Sequence, residues 1–211
     1  MINNHNLKKV YENIQQISPK TKLIIVSKTR KIEDIDKLLA KQNFIFGENR
    51  VQEAQDKFDG RLDRSKIELH LIGPLQTNKV PLALNIFDTI QTIDRKKLVD
   101  TISTHIQKKN NDIKTKNFFI QVNIGDEIQK SGVDIKNFDE LYNYCNLNNL
   151  KISGIMCIPP QNKNPNIYFQ KMVSIKSNYP HLKLSMGMSS DYYEALKLKT
   201  DYIRIGSYIF E

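Results

Sequence analysis

The sequence predicts a single α/β domain over residues 1–211, a (β/α)8 TIM-type barrel with one extra N-terminal helix and no second domain. Three observations support this fold class. Short, nearly continuous apolar runs recur along the chain, the segments between them have helical apolar spacing, and no linker rich in Pro, Gly or Ser interrupts the sequence. Apolar strands that alternate with amphipathic helices indicate a parallel sheet covered by helices, and eight alternations favour a closed barrel.

The expected elements follow one another in a regular order. A leading helix is predicted because apolar residues from Leu7 to Ile17 share one helical face and Ser18-Pro19 ends it. Eight strands are expected at Leu23–Ser27, Phe44–Gly47, Leu69–Gly73, Phe87–Ile90, Phe118–Ile124, Ile152–Ile158, Leu182–Gly187 and Tyr202–Gly206. Between strands the apolar period becomes helical. The segment after the last strand is very short, so we expect the leading helix to cover that part of the barrel.

An open doubly wound sheet is the rival architecture. Neither a G-x-G-x-x-G turn nor a P-loop follows any of the eight runs. Nucleotide binding at the switch point of such a sheet therefore lacks its usual sequence signature.

Charge and composition limit the function classes. The chain has 32 Lys and Arg against 23 Asp and Glu, a formal net charge of +9, which can signal nucleic-acid binding. The cations are scattered, with only short pairs such as Lys8-Lys9, Lys96-Lys97 and Lys108-Lys109 on expected outer helix faces. We expect a solvated surface and no nucleic-acid partner, with a basic RNA- or DNA-binding protein as an alternative.

The apolar stretches and the cysteines indicate the compartment. No apolar stretch is long enough to cross a bilayer, which predicts no membrane association and a cytoplasmic protein. The two cysteines, Cys145 and Cys157, have apolar neighbours and are expected to be buried free thiols. Their number and spacing suggest neither a disulfide framework nor a metal site.

Lys28 is the first candidate for chemistry, because it stands at the exit of the first predicted strand. In a barrel of this kind the chemistry lies at the carboxyl ends of the strands. A lysine above an apolar floor is poorly solvated, which favours the neutral amine that attacks an aldehyde. Lys28 is therefore a candidate Schiff-base lysine, although a lysine that ends a strand is more often simply solvated.

Two later strand ends suit a phosphate group. From Ser185 to Asp191 the chain passes into a helix that begins near Asp191, where N–H groups and hydroxyls either hold an anion or form an ordinary N-cap. At the last strand, Gly206 allows close backbone approach, and Ser207 offers an N–H and a hydroxyl. Arg204 is a cation inside the barrel that needs a ligand or a carboxylate partner. Together the two adjacent strand ends indicate a phosphorylated ligand.

The second and third strands carry further polar candidates. Asn49 follows the second strand and is expected to cap the next helix, with Gln52 as the second residue of a capping box. This structural role is compatible with a ligand contact by Asn49. His70 alternates with Leu69 and Leu71 and should point into the barrel. With four histidines in the chain and no acidic or cysteine partner expected beside His70, we expect no metal site.

Seven short segments, including those that contain these candidate residues, occur in one order along the chain. They are Val26-Ser27-Lys28-Thr29, Phe46-Gly47-Glu48-Asn49, His70-Leu71-Ile72-Gly73 with Leu75-Gln76-Thr77-Asn78-Lys79, Gln121-Val122-Asn123-Ile124, Lys130-Ser131-Gly132-Val133, Ser185-Met186-Gly187-Met188-Ser189 and Arg204-Ile205-Gly206-Ser207. Taken together, they strongly resemble the pyridoxal 5′-phosphate (PLP) homeostasis protein family, from about Lys22 to the C-terminus.

The resemblance implies a barrel similar to that of bacterial alanine racemase, PLP held as a Schiff base on Lys28, and a role in intracellular PLP (vitamin B6) homeostasis. The cofactor-binding residues it implies are Lys28, Asn49, His70, Ser189, Arg204, Gly206 and Ser207. Ser189, Gly206 and Ser207 would form the phosphate shell, and Arg204 would face the pyridine nitrogen. Because arginine does not release its proton, it would keep that nitrogen unprotonated and weaken the ring as an electron sink.

Three positions depart from the family pattern. Pro74 stands where another histidine is usual, Glu68 stands where an aromatic residue is usual, and Ser207 replaces a more frequent threonine. The serine keeps the hydroxyl that a phosphate contact needs.

A PLP-dependent amino-acid racemase of the alanine racemase type is the rival function. Racemisation needs a second acid or base on the opposite face of the substrate. In racemases of this fold that group is a tyrosine from an additional β domain of a partner subunit, and the sequence ends before such a domain could begin. We therefore expect a PLP-binding monomer with no catalytic residue and no metal, and PLP-dependent enzymes as its candidate recipients.

Overall fold

Strands and helices alternate along the chain as the apolar periods predict. The structure is a computed structural model that describes residues 2–109, 112–127 and 131–210. The strands in these ranges are β1 (Lys22–Val26), β2 (Ile45–Glu48), β3 (Glu68–Leu71), β4 (Thr89–Ile93), β5 (Asn117–Asn123), β6 (Val133–Asp134), β7 (Ile152–Cys157), β8 (Lys183–Ser185) and β9 (Tyr202–Ile205). The α-helices are α1 (Asn4–Ile17), α2 (Ile32–Ala40), α3 (Val51–Phe58), α4 (Val80–Ile86), α5 (Lys96–Lys108), α6 (Phe138–Leu147), α7 (Pro165–Asn178), α8 (Tyr192–Lys197) and α9 (Ser207–Phe210).

Eight of these strands close into a parallel barrel. Neighbouring strands follow the order β4-β3-β2-β1-β9-β8-β7-β5, and an additional pairing of β4 with β5 closes the ring. The short strand β6 pairs with β5 beside the ring. The predicted barrel with a leading helix is confirmed.

Helix α1 covers the side of the barrel next to the short helix α9. Its apolar face buries Leu7, Val10 and Ile14, and the N–H of Asn3 donates to the carbonyl of Ile209 at 2.7 Å. Because α9 has only 4 residues, α1 shields apolar side chains that a longer final helix would otherwise cover. This arrangement is the one expected from the sequence.

The fourth strand is displaced from its predicted position of Phe87–Ile90. It begins at Thr89 and continues to Ile93, because the N–H of Phe87 still donates to the carbonyl of Ala83 at the end of α4, at 3.0 Å. Thr89 and Gln91 are polar residues buried within this strand. Apolar continuity therefore placed the strand too early, and it gave no sign of the two-residue β6.

A separate apolar cluster fills the barrel interior toward the amino ends of the strands. It consists of Ile24, Phe119 and Tyr202. Gly154 leaves the room for it, because a Cβ at this position would lie 2.5 Å from the Phe119 ring. On β9 the next inward residue toward the carboxyl end is Arg204. The polar part of the interior therefore lies nearer the carboxyl ends of the strands than the apolar cluster.

Surface charges and cysteines lie where the sequence predicts them. The three lysine pairs are exposed, and Cys145 and Cys157 are buried free thiols. Burial raises the pKa of each thiol to about 12. Within the described ranges, no helix combines the length and apolar character needed to cross a membrane. The same ranges contain no group of three or more His, Cys, Asp or Glu side chains that could hold a metal ion.

Candidate functional site

Residues that follow four neighbouring strands meet at one end of the barrel. Strands β2, β1, β9 and β8 are consecutive in the ring, and the segments after them contain Asn49, Lys28, Gly206-Ser207 and Ser189, respectively. Two of these segments are linked directly, since Ser189 Oγ accepts a hydrogen bond from the N–H of Tyr208 at 3.4 Å. The structure therefore brings predicted candidates from distant parts of the sequence to one edge.

Lys28 lies in a hydrogen-bonded turn immediately after β1. The N–H of Ser27 donates to the carbonyl of Gly47 at 3.0 Å, and the N–H of Arg30 donates to the carbonyl of Ser27 at 3.1 Å. Thr29 has a left-handed φ of 61°. The Lys28 side chain is exposed, so the prediction that it is poorly solvated is wrong. The apolar run ends below the turn and leaves the amine in water.

Arg204 lies inside the barrel and is only 3% exposed. Its Nη1 donates to Ser185 Oγ at 2.9 Å, and its Nη2 donates to the carbonyl of Cys157 at 2.8 Å. Both acceptors are uncharged, and no carboxylate among the described residues forms an ion pair with this guanidinium. Burial lowers the pKa of Arg204. A guanidinium carries five N–H groups, so donors remain for a ligand.

A chain of side-chain hydrogen bonds continues from Arg204 across the interior. Ser185 Oγ donates to Gln91 Oε1 at 2.7 Å, and Gln91 Nε2 lies 2.8 Å from His70 Nδ1. His70 Nε2 lies 2.9 Å from Glu68 Oε1. All these bonds are made at once when His70 carries its proton on Nε2, because each group then donates to the next one. The chain runs from the Arg204 guanidinium to the Glu68 carboxylate through the side chains of Ser185, Gln91 and His70.

His70 points into the barrel, as predicted, but its surroundings differ from those expected. The side chain is fully buried, and its ring centroid lies 5.3 Å from that of Tyr202. An acidic partner is present after all: the hydrogen bond from His70, with further help from Lys22, lowers the pKa of Glu68 to about 2. The acidic partner of His70 was missed because it is not a sequence neighbour. Glu68 is two positions away, and a strand places residues i and i+2 on the same face.

Gly206 and Ser207 form the turn after β9, which approaches β1 closely. A Cβ on Gly206 would lie 3.2 Å from Val26 Cβ and 3.3 Å from the Val26 carbonyl oxygen. Ser207 is exposed and begins α9. The glycine thus allows this turn to lie against the strand that leads to Lys28.

The turn after β8 contains Gly187, whose φ of 96° is in the region that favours glycine. The N–H of Met188 donates to Asp191 Oδ1 at 2.5 Å, which closes the turn. Helix α8 begins at Tyr192 and has 6 residues, close to the predicted start. Its N-cap is Asp191 rather than a serine, which leaves the hydroxyl of the half-buried Ser189 outside the cap.

Asn49 follows β2 and is half-buried, but it does not cap the next helix. The N-cap of α3 is Arg50, which makes no side-chain capping bond, and Gln52 donates to side chains of its own helix instead. The predicted capping box is therefore wrong. The backbone of Asn49 lies against Gly73, where a Cβ would be 2.2 Å from the Asn49 carbonyl oxygen.

Two side chains near the carboxyl end of β5 hold the loop that follows this strand. Gln121 Nε2 donates to the carbonyl of Ser131, and Asn123 Nδ2 donates to the carbonyl of Glu127, both at 3.0 Å. Gly132 has a φ of 123° and packs on this strand. Lys130, which contributes to the sequence resemblance, lies outside the described residues.

Comparison with known proteins decides the family. No protein-family model matches the chain. The pyridoxal phosphate homeostasis protein of Aquifex aeolicus is 35% identical over 223 residues, which cover 97% of this chain and 95% of the relative. The protein of the same name from Pasteurella multocida is 34% identical over 224 residues, with 97% and 95% covered. This chain belongs to the pyridoxal phosphate homeostasis protein family. The names of these family members describe homeostasis rather than a catalysed reaction.

Solved structures of PipY from Synechococcus elongatus have the same fold as this family member. The structure without PLP has a TM-score of 0.84 at 29% identity and covers 98% of this chain and 99% of PipY. The structure with PLP bound has a TM-score of 0.80 at 27% identity and covers 98% and 100%. Alanine racemase from Acinetobacter baumannii, at 18% identity and a TM-score of 0.74, matches 99% of this chain over 62% of its own. It shares the barrel fold.

Two groups of side chains beside the predicted residues were not found from the sequence. One is the Gln91 and Ser185 pair that connects Arg204 to His70. The other is Glu48, Glu53 and Lys57, which pack behind the Lys28 turn. The second group could have been found from the spacing of Glu53 and Lys57, which are four residues apart on one predicted helix and follow a strand that ends in Glu48.

Proposed function

We propose that this chain binds PLP as a Schiff base on Lys28 and acts in intracellular PLP homeostasis rather than in turnover. The observation that carries the proposal is the buried guanidinium of Arg204, which has uncharged partners and lies near the strand ends that carry Lys28, Ser189 and Ser207. Family membership and the PLP-bound structure of PipY support the choice of ligand.

The site residues divide into three roles in this proposal. Lys28 supplies the amine for the aldehyde, and its exposure leaves it accessible to free PLP. Ser189, Gly206 and Ser207 hold the phosphate, where a hydroxyl or N–H bonded to a charged group contributes more than a neutral pair. Arg204 faces the pyridine nitrogen.

Asn49 and His70 have more indirect parts. Asn49 contacts the edge of the ring from the loop after β2. Both ring nitrogens of His70 already have protein partners, so we assign His70 to the support of Arg204 through Gln91 and Ser185. A direct bond from His70 to the cofactor would require one of these partners to be displaced.

Holding PLP suits this site better than carbanion chemistry. PLP supplies an electron sink when its pyridine nitrogen is protonated. The permanently charged Arg204 donates to that nitrogen and disfavours its protonation. We therefore propose a carrier or regulator of PLP in the cytoplasm, a monomer that supplies PLP-dependent enzymes, and we place racemisation second.

The decisive experiment is borohydride reduction of the PLP-loaded protein, followed by peptide mapping. We expect one pyridoxyl group on Lys28 in the parent protein and none at that position, with loss of imine absorbance, in Lys28→Ala. Lys31→Ala is a matched control, because Lys31 is an exposed lysine three residues away and its removal should leave the adduct intact. An imine band of parental strength in Lys28→Ala would refute the assignment.

A further inference from the structure

Three charged side chains lie behind the Lys28 turn, where the end of β2 meets α3. Lys57 Nζ donates to Glu48 Oε1 at 3.0 Å and to Glu53 Oε1 at 2.5 Å. The side chains of Glu48 and Lys57 are 0% and 9% exposed, and that of Glu53 is 23% exposed. We call Glu48, Glu53 and Lys57 the turn clamp.

The turn clamp bonds to the residues on both sides of Lys28. Lys57 Nζ donates to the carbonyl of Ser27 at 2.7 Å, and Ser27 Oγ donates to Glu48 Oε1 at 2.8 Å. On the other side, the N–H of Thr29 donates to Glu53 Oε1. One connected set of charges therefore fixes the peptide groups immediately before and after Lys28.

The conformation of this turn needs such support. Thr29 has a φ of 61°, a left-handed conformation that a β-branched residue adopts only when its surroundings impose it. Burying an ion pair is itself a weak source of stability, because desolvation offsets the attraction between the charges. Burial also raises the pKa of Glu48 despite the nearby Lys57. Two of the three clamp residues are thus largely withdrawn from water while the clamp bonds to the Lys28 turn.

We propose that Glu48, Glu53 and Lys57 are positioning residues that hold the Lys28 backbone in the conformation from which its amine meets the PLP aldehyde. This inference rests on the proposed function of Lys28. In the described part of the chain, the hydrogen bonds of the clamp go to Ser27 and Thr29 and not to the phosphate turns or Arg204. Its loss should therefore reduce imine formation while leaving the capture of the phosphate unchanged.

The first test needs no ligand and uses amide hydrogen exchange in the apoprotein. Glu53→Ala should increase the exchange rate of the Thr29 N–H by roughly tenfold or more, because a hydrogen bond to a charged acceptor is lost. Glu53→Gln keeps an oxygen at the same reach and should restore most of the protection. Glu53→Asp keeps the charge but shortens the reach, so it should behave like Glu53→Ala. Asp56→Ala removes an exposed carboxylate from the same helix and should change nothing.

The second test separates imine formation from phosphate binding. PLP is the reactive probe, and pyridoxine 5′-phosphate, which has the phosphate but no aldehyde, is the unreactive one. We expect Glu53→Ala to lower the rate of imine formation on Lys28 by roughly tenfold, with the affinity for pyridoxine 5′-phosphate unchanged and Glu53→Gln close to the parent. Thermal melting of each variant checks that the fold is retained.

The outcomes distinguish this inference from the proposed function. If the parent forms the Lys28 adduct and Glu53→Ala forms it at the same rate, the positioning role is overturned and the proposed function stands. If Glu53→Ala lowers the rate of imine formation with PLP and the affinity for pyridoxine 5′-phosphate by the same factor, the clamp acts on the whole site and the inference is also overturned. If the parent forms no adduct on Lys28, the proposed function fails and the positioning role fails with it, while the exchange data still report the clamp.

Discussion

Ser185→Ala should destabilise the barrel far more than the loss of one oxygen atom suggests. The Ser185 side chain is fully buried. Its hydroxyl accepts from Arg204 Nη1 at 2.9 Å and donates to Gln91 Oε1 at 2.7 Å. The substitution therefore removes two hydrogen bonds and leaves a buried cation with one acceptor among the described residues, the carbonyl of Cys157.

The magnitude follows from these two bonds. A hydrogen bond to a charged group contributes about 1.5–3 kcal/mol, and a buried acceptor left without its donor costs about 1–3 kcal/mol. We expect the free energy of unfolding to fall by about 2–5 kcal/mol, since partial relaxation recovers some of the sum. For a chain of this size the melting temperature falls by about 2–4 °C per kcal/mol, which gives a decrease of roughly 4–20 °C.

Ser103→Ala is the matched control for this prediction. Ser103 is also a buried serine, at 6% exposure, but its hydroxyl has no hydrogen-bond partner in the part of the chain that the structure describes. Removing it should leave the melting temperature unchanged or raise it slightly, because alanine also has the higher helix propensity in α5. Differential scanning calorimetry of the two apoproteins measures both effects. Equal changes in the two variants would show that the chain of hydrogen bonds does not stabilise the interior.

Two further predictions concern the turns at the same barrel end. Ser189→Ala and Ser207→Ala should each lower the affinity for PLP about tenfold to hundredfold, because each loses one hydrogen bond to a charged group. The double variant should lower the affinity for PLP far more than the affinity for pyridoxal, which titration with both ligands measures. Equal losses for the two ligands would exclude these turns as the phosphate shell. Gly73→Ala should destabilise the protein by several kcal/mol in denaturant titrations, because its Cβ would meet backbone oxygen at 2.2 Å. Gly60→Ala, with a φ of 70° and open space around it, should lose only about 1 kcal/mol, and similar losses at both positions would contradict this packing.

The sequence predicts the barrel well because buried parallel strands are apolar on both faces. It fails where the interior is polar. Thr89 and Gln91 interrupt the apolar pattern of β4, which moved the predicted strand toward Phe87, whereas the structure begins it at Thr89. Ser185 and Gln91 lie on strands that are far apart in sequence, 94 residues from one another. No local spacing indicates that their side chains meet.

The candidate residues could be located from the sequence, but their surroundings could not. Their positions follow from strand ends, since a parallel barrel brings those ends together whatever the loops contain. Solvation depends on whether a residue lies within a strand or beyond its end, which is why Lys28, in the turn after β1, is exposed while Arg204, on β9, is buried. Helix caps depend on one or two residues at a boundary, which is why Arg50 rather than Asn49 precedes α3.

The hydrogen-bond chain explains how the barrel keeps an unneutralised cation inside. A carboxylate beside Arg204 would satisfy its N–H groups, but it would also cancel the charge that a ligand nitrogen would meet. Ser185 and the carbonyl of Cys157 satisfy part of the guanidinium without adding negative charge. The hydrogen-bond chain ends at Glu68, beyond Gln91 and the His70 ring. Among the described residues, the carboxylate whose charge acts on Arg204 is Asp191, which attracts the guanidinium without accepting a hydrogen bond from it. The groups that hold Arg204 in place therefore leave its remaining N–H groups available for a ligand.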